Sequence, residues 1–123
     1  MKTSLLIASA LALGAAGMVQ AADIKGDWAR SDGRAKVKIA KCGADICATN
    51  TWIKPGTPSE KAGDVLVMKV EKVADNQYSG SAFDPQRDMS YKITLDVGDS
   101  KMTSKGCVLG GLLCKGVGWT RIK

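Results

Sequence analysis

Alternation is the strictest constraint in this sequence. From Met89 to Val97, Met89, Tyr91, Ile93, Leu95 and Val97 take every second place, with Ser90, Lys92, Thr94 and Asp96 between them. Ala35, Val37 and Ile39 alternate with Arg34, Lys36 and Lys38 in the same way. A helix returns to one face every third or fourth residue and a strand every second, so only extended chain sorts these segments into a dry and a wet side. Slipping either strand by one residue would bury its polar set, including the lysines. The two segments therefore predict an antiparallel sheet with one solvated face.

Weaker strand patterns run from Lys25 to Arg30, Ala48 to Lys54, Val65 to Val73, Gln77 to Phe83, Lys101 to Gly106 and Val117 to Ile122. Turn chemistry separates most of them: Asp32-Gly33, Asp75-Asn76, Asp84-Pro85 and Gly98-Asp99-Ser100. Eight short strands joined mainly by hairpins predict an all-β fold, a small antiparallel up-and-down β-barrel. Closure removes the open edges that make small sheets aggregate. Two segments break the pattern. Pro55 to Gly63 carries two prolines and reads as a rim loop or a lid. Cys107 to Cys114 encloses Val108, Leu109, Leu112 and Leu113 around Gly110-Gly111, an apolar loop that must pack beneath itself or against a partner.

The first residues read as an export signal. Lys2 gives a positive start, Leu5 to Val19 an apolar stretch, and Val19-Gln20-Ala21 a small-residue cleavage site. The expected division is a signal peptide at 1–21 and a single domain at 22–123, periplasmic or secreted, with no membrane span after cleavage. No cysteine stands at the cleavage point to carry a lipid anchor. Roughly a hundred residues make a modest core, so covalent staples matter. An oxidising compartment makes disulfides the default state of the four cysteines. Chain entropy favours pairs across long loops, whereas reach and the sharp turn open to Gly43 favour Cys42 with Cys47 and Cys107 with Cys114. Local pairing is the expectation. Four-thiolate zinc and redox readings fit poorly, because the intervals are four and six residues rather than two.

Histidine is absent, which removes the usual catalytic base and the usual metal ligand. Acid-base work would fall to Asp84, Tyr91, Lys54 or Asp45, and for Asp84 and Asp45 a turn-forming role is the simpler account. No nucleophile elbow, phosphate loop or dinucleotide fingerprint is present. The expectation is a non-enzymatic protein with no cofactor and no metal. The formal charge of +6 becomes +5 when Lys2 is removed, a surface open to anionic partners such as lipid head groups, although an ordinary solvated surface is the simpler account. Few aromatics and the export signal argue against nucleic acid.

Gly26-Asp27-Trp28, Cys42-Gly43-Ala44-Asp45-Ile46-Cys47 with Trp52, Phe83-Asp84-Pro85 with Tyr91, Gly106-Cys107, Cys114 and Trp119-Thr120-Arg121 together resemble one family of small exported bacterial proteins, domain of unknown function twenty-one forty-seven. The chain differs from the usual pattern at Ala48 and over Gln86-Arg87-Asp88. The resemblance implies a calycin-like, lipocalin-like barrel and no established reaction. It also implies structural roles for Trp28, Trp119 and Arg121, with the Arg121 guanidinium stacked on the Trp28 indole at the barrel floor. The leading functional expectation is a binding module for a small amphipathic or apolar ligand, its site at the open mouth near Trp52, Tyr78, Phe83 and Tyr91. The alternative is a periplasmic protein-interaction or inhibitor-like module that uses the 107–114 loop against an envelope protein or an anionic envelope component.

Overall fold

The computed structural model describes residues 23–123; the expected signal peptide lies outside the described residues. Eight strands follow one another: β1 (Gly26–Arg30), β2 (Ala35–Cys42), β3 (Asp45–Ile53), β4 (Val65–Ala74), β5 (Gln77–Asp84), β6 (Met89–Val97), β7 (Lys101–Val108) and β8 (Leu113–Arg121). Each pairs antiparallel with the next, and β8 returns to β1 through Trp28 with Arg121, Ala29 with Thr120 and Arg30 with Trp119. The result is a closed up-and-down barrel, the architecture that the alternation and the turn signals predict.

Period two sorts the residues as the sequence requires. In β2, Ala35, Val37 and Ile39 are buried while Lys36 and Lys38 are exposed. In β6, Ile93, Leu95 and Val97 point inward. With Ile24, Trp28, Met68, Ala82 and Met102 they form one continuous core. No charged or polar residue among the described ones is fully buried.

The hairpins give the barrel two unlike poles. The β2–β3, β4–β5 and β6–β7 turns gather at one end with the segment before β1 and the residues after β8. There Trp28 is fully buried and donates from Nε1 to the Ile24 carbonyl at 3.0 Å. The Arg121 guanidinium lies 4.2 Å from the Trp28 ring, and its Nε and Nη1 donate to the carbonyls of Asp99 and Lys25. A flat cation over an indole, with its donors spent on carbonyls, closes this floor without a charged group facing the core. At the opposite pole lie the β1–β2 turn, the long β3–β4 loop, the β5–β6 turn and the β7–β8 connection.

Both disulfides are local, and each clasps one hairpin. Cys42–Cys47 sits at the floor and Cys107–Cys114 at the mouth, with Cα separations of 5.7 and 4.1 Å. The 107–114 segment is less of a loop than its glycines suggest. Cys107 faces Cys114 and Val108 faces Leu113 across the ladder, so only a short 3₁₀ turn (Leu109–Gly111) and Leu112 lie outside the strands.

Candidate functional site

The interior is solid around Trp28 and hollow toward the mouth. A cavity of about 550 Å³ opens there, within the size range of small-molecule sites. Its wall is mostly apolar: Val37, Ile39, Leu66, Met68, Ile93 and Met102 continue upward from the core. Tyr91 and Trp119 are the aromatic members. Trp119 donates from Nε1 to the Ser104 hydroxyl at 3.0 Å, which satisfies its one polar atom within the wall.

Gly106 makes room for the other ring. It stands on the inner face of β7, and a Cβ there would come within 2.8 Å of the Tyr91 Cε2 atom. The ring can therefore lie flat on bare backbone and leave the lumen open. Burial, with a contribution from Asp84, raises the Tyr91 pKa, so the phenol holds its proton at neutral pH.

Charged groups are confined to the rim. Arg30, at the end of β1, grips Glu60 of the β3–β4 loop through two hydrogen bonds of 2.8 and 3.0 Å, and its Nε reaches Asp32 at 3.0 Å. The hydrogen bonds from Arg30 hold the Glu60 carboxyl below its ordinary range. Arg87 of the β5–β6 turn donates to Asp84 at 2.7 Å, to the Ser59 carbonyl, and stands 3.9 Å from Asp64. Burial pushes the Asp84 pKa up, but hydrogen bonds from Arg87 and Gln86 outweigh it and leave the carboxyl below its usual value. The proline-containing 55–63 segment is thus a strapped rim, fixed from both sides. Backbone bonds from Asn50 N to the Asp64 carbonyl and from Gly63 N to the Asn50 carbonyl fasten its far end.

Lys115 differs from the other rim charges. It lines the cavity from β8, opposite Gly106, and makes no ion pair among the described residues.

Of the four aromatics named from the sequence for the mouth, the structure brings only Tyr91 to the cavity. Trp52 would follow Ala48 and Asn50 inward if β3 kept its register, but a bulge at Thr51 pairs Lys36 with Trp52 and Val37 with Asn50. That extra residue turns Trp52 outward. It is 41% exposed, and the Lys36 ammonium lies 5.5 Å from its ring centroid. Phe83 falls on the outer face of β5, one residue from buried Ala82. Tyr78 points inward, but near the floor, where it packs against the core below the hollow. Asp45 lies outside the site, 2.9 Å from the Lys69 ammonium. Lys54 lies in the rim backbone, where its N–H donates to the Arg34 carbonyl.

Arg30, Glu60, Lys115 and Trp119 are the cavity residues that strand patterns alone did not assign to a site. For Lys115 a signal existed. Leu113, Lys115, Val117, Trp119 and Arg121 share one parity, and three of them are apolar, core-type residues.

A family model described as "uncharacterized protein conserved in bacteria", DUF2147, matches residues 26–121. No curated protein matches the chain. Among solved structures, a redesigned β-barrel is 17% identical with a TM-score of 0.54, over 86% of this chain and 97% of that one. At that identity the likeness concerns the fold alone.

Proposed function

The chain belongs to the DUF2147 family, whose description carries no activity, and we propose that its barrel is a non-enzymatic binding module for a small amphipathic ligand. The observation that carries this reading is the hollow itself, an apolar-walled space of about 550 Å³ that is open at one pole. Apolar area left facing water is stabilised by a ligand that covers it, at roughly 25 cal/mol per Å². Ligand polarity follows from the rim. Arg30 and Arg87 already hold carboxylates, whereas Lys115 has none, so a ligand with an anionic head and an apolar tail satisfies both parts of the site.

Binding rather than catalysis is supported by the state of the rim acids. Glu60 and Asp84 are locked to arginines with lowered pKa values, the opposite of what a proton donor near neutral pH needs. Export belongs to the same proposal. Two formed disulfides are compatible with an oxidising compartment, and no described helix is long and apolar enough to cross a membrane. An intact mass beginning at Ala22 for protein recovered from the cell envelope is the expected result, and a full-length mass with Met1 retained would remove this part.

Uptake of dansyl-undecanoic acid by the oxidised protein tests the ligand reading. Saturable one-to-one binding is expected, weakened about tenfold in Lys115→Met by loss of one charge-assisted contact. Binding that never saturates, or that is indifferent both to Lys115→Met and to filling the hollow with Ala48→Phe, would defeat it.

A further inference from the structure

Leu109, Leu112 and Leu113 are 67%, 83% and 58% exposed, yet they share one tip at the mouth. We propose that this β7–β8 tip docks the barrel, mouth first, onto an anionic lipid surface. Three adjacent aliphatic side chains in water are costly for a small protein, and none of the described residues covers them.

The tip is built in advance of any contact. The Cys107–Cys114 disulfide closes its base, and Leu109, Gly110 and Gly111 take φ values of 55, 67 and 95° in succession. Left-handed backbone suits the glycines but is unfavourable at a leucine, and such local strain is retained only where the surroundings enforce it. Docking therefore needs little further ordering of the chain.

Charge selects the occupant. Of the five basic residues in the acid-free stretch from Lys101 to Lys123, Lys105 and Lys115 lie on the tip side, whereas Lys101, Arg121 and Lys123 belong to the floor. Lys92 lies beside Cys107 in the ladder, Lys115 beside Gly106 and Lys105 beside Gly116, so three lysines surround the base of the apolar tip. Across the mouth, five acids (Asp32, Glu60, Asp64, Asp84 and Asp88) are matched in number by Arg30, Arg34, Lys54, Lys61 and Arg87, and the first four acids stand beside Arg30 or Arg87, so that side carries no net negative charge among the described residues. Leucines at a tip with lysines behind them match a bilayer, whose hydrocarbon takes the former and whose anionic head groups attract the latter. Each signal alone gives weak, reversible attachment, and the two act together. Val108 and Leu113 also line the cavity, so docking sets its opening against the lipid.

Co-flotation of the oxidised protein with vesicles tests this directly. Strong association is expected with phosphatidylglycerol-containing vesicles, little with pure phosphatidylcholine, and a decline as salt rises. Leu112→Asp should lower association by about tenfold or more, and Lys92→Gln and Lys105→Gln by about fivefold each. Val73→Asp, an equally simple change at an exposed floor position, should leave it unchanged. Equal binding to neutral and anionic vesicles, no binding to either, or indifference to Leu112→Asp would overturn the proposal. Dansyl-undecanoic acid uptake by Leu112→Asp separates the two readings: lost flotation with retained uptake shows a docking defect alone. Flotation of the native protein without uptake leaves docking standing and removes the ligand reading.

Discussion

Replacing Arg121 with methionine removes the cation from the floor while keeping most of the aliphatic stem. Two groups of contacts disappear. The stack on Trp28, 4.2 Å from ring to guanidinium, is worth about 1–2 kcal/mol where the indole is fully buried. The hydrogen bonds to the carbonyls of Asp23, Lys25 and Asp99 are each worth about 0.5–1 kcal/mol net, because the freed carbonyls sit at the barrel end and recover water. Arg121→Met should therefore cost about 2.5–5 kcal/mol. For a domain of this length that corresponds to a fall in Tm of about 10–30 °C. Urea titration followed by Trp fluorescence measures the loss directly, with an unchanged m value showing that only stability moved. Arg121→Lys should recover less than half, since an ammonium cannot lie flat on the ring while reaching three carbonyls. A loss under about 1 kcal/mol in the methionine variant, or full rescue by lysine, would refute this account of the floor.

Gly106→Val should displace the Tyr91 ring into the lumen and weaken dansyl-undecanoic acid binding by about tenfold or more, read by fluorescence titration. Glu60→Gln removes one side of the rim strap; faster amide exchange confined to residues near 58–63 is expected, with the melting point within a few degrees of native. Acid should loosen the same rim, because Glu60 and Asp84 have lowered folded pKa values. Their stabilisation is complete above the ordinary carboxylate values of 4.5 and 3.8 and is lost as pH falls through the depressed ones, so a urea midpoint series should be flat near neutrality and drop only below about pH 4.5. The paired substitution Cys107→Ser with Cys114→Ser opens a short loop and should cost about 2.5 kcal/mol or less by urea unfolding, while leaving the floor disulfide intact on peptide mapping.

The architecture was readable because its determinants are local. Each alternating strand states its own inward face, and turns such as Asp32-Gly33 join neighbours in sequence, so an up-and-down order needs no long-range information. The site was less legible because its determinants are relational. The bulge at Thr51 reverses Trp52 without leaving a mark on the alternation, and the height of Tyr78 within the barrel depends on where its hairpin ends. Lys115 hides within Leu113–Gly116, where cysteine and glycine disguise a strand that the sequence pattern begins only at Val117. Glu60 occupies a loop whose path is decided by a partner thirty positions earlier in the chain.

The seam between β1 and β8 has a kinetic consequence. Every other pair of neighbours is joined by a hairpin, but this one unites the first strand with the last. Loop-closure entropy for that step spans nearly the whole polypeptide, so zipping can advance from β2 toward β7 while the cylinder stays open. Ring closure then belongs to the final stage of folding, and Trp28 finds its lid only when Arg121 arrives.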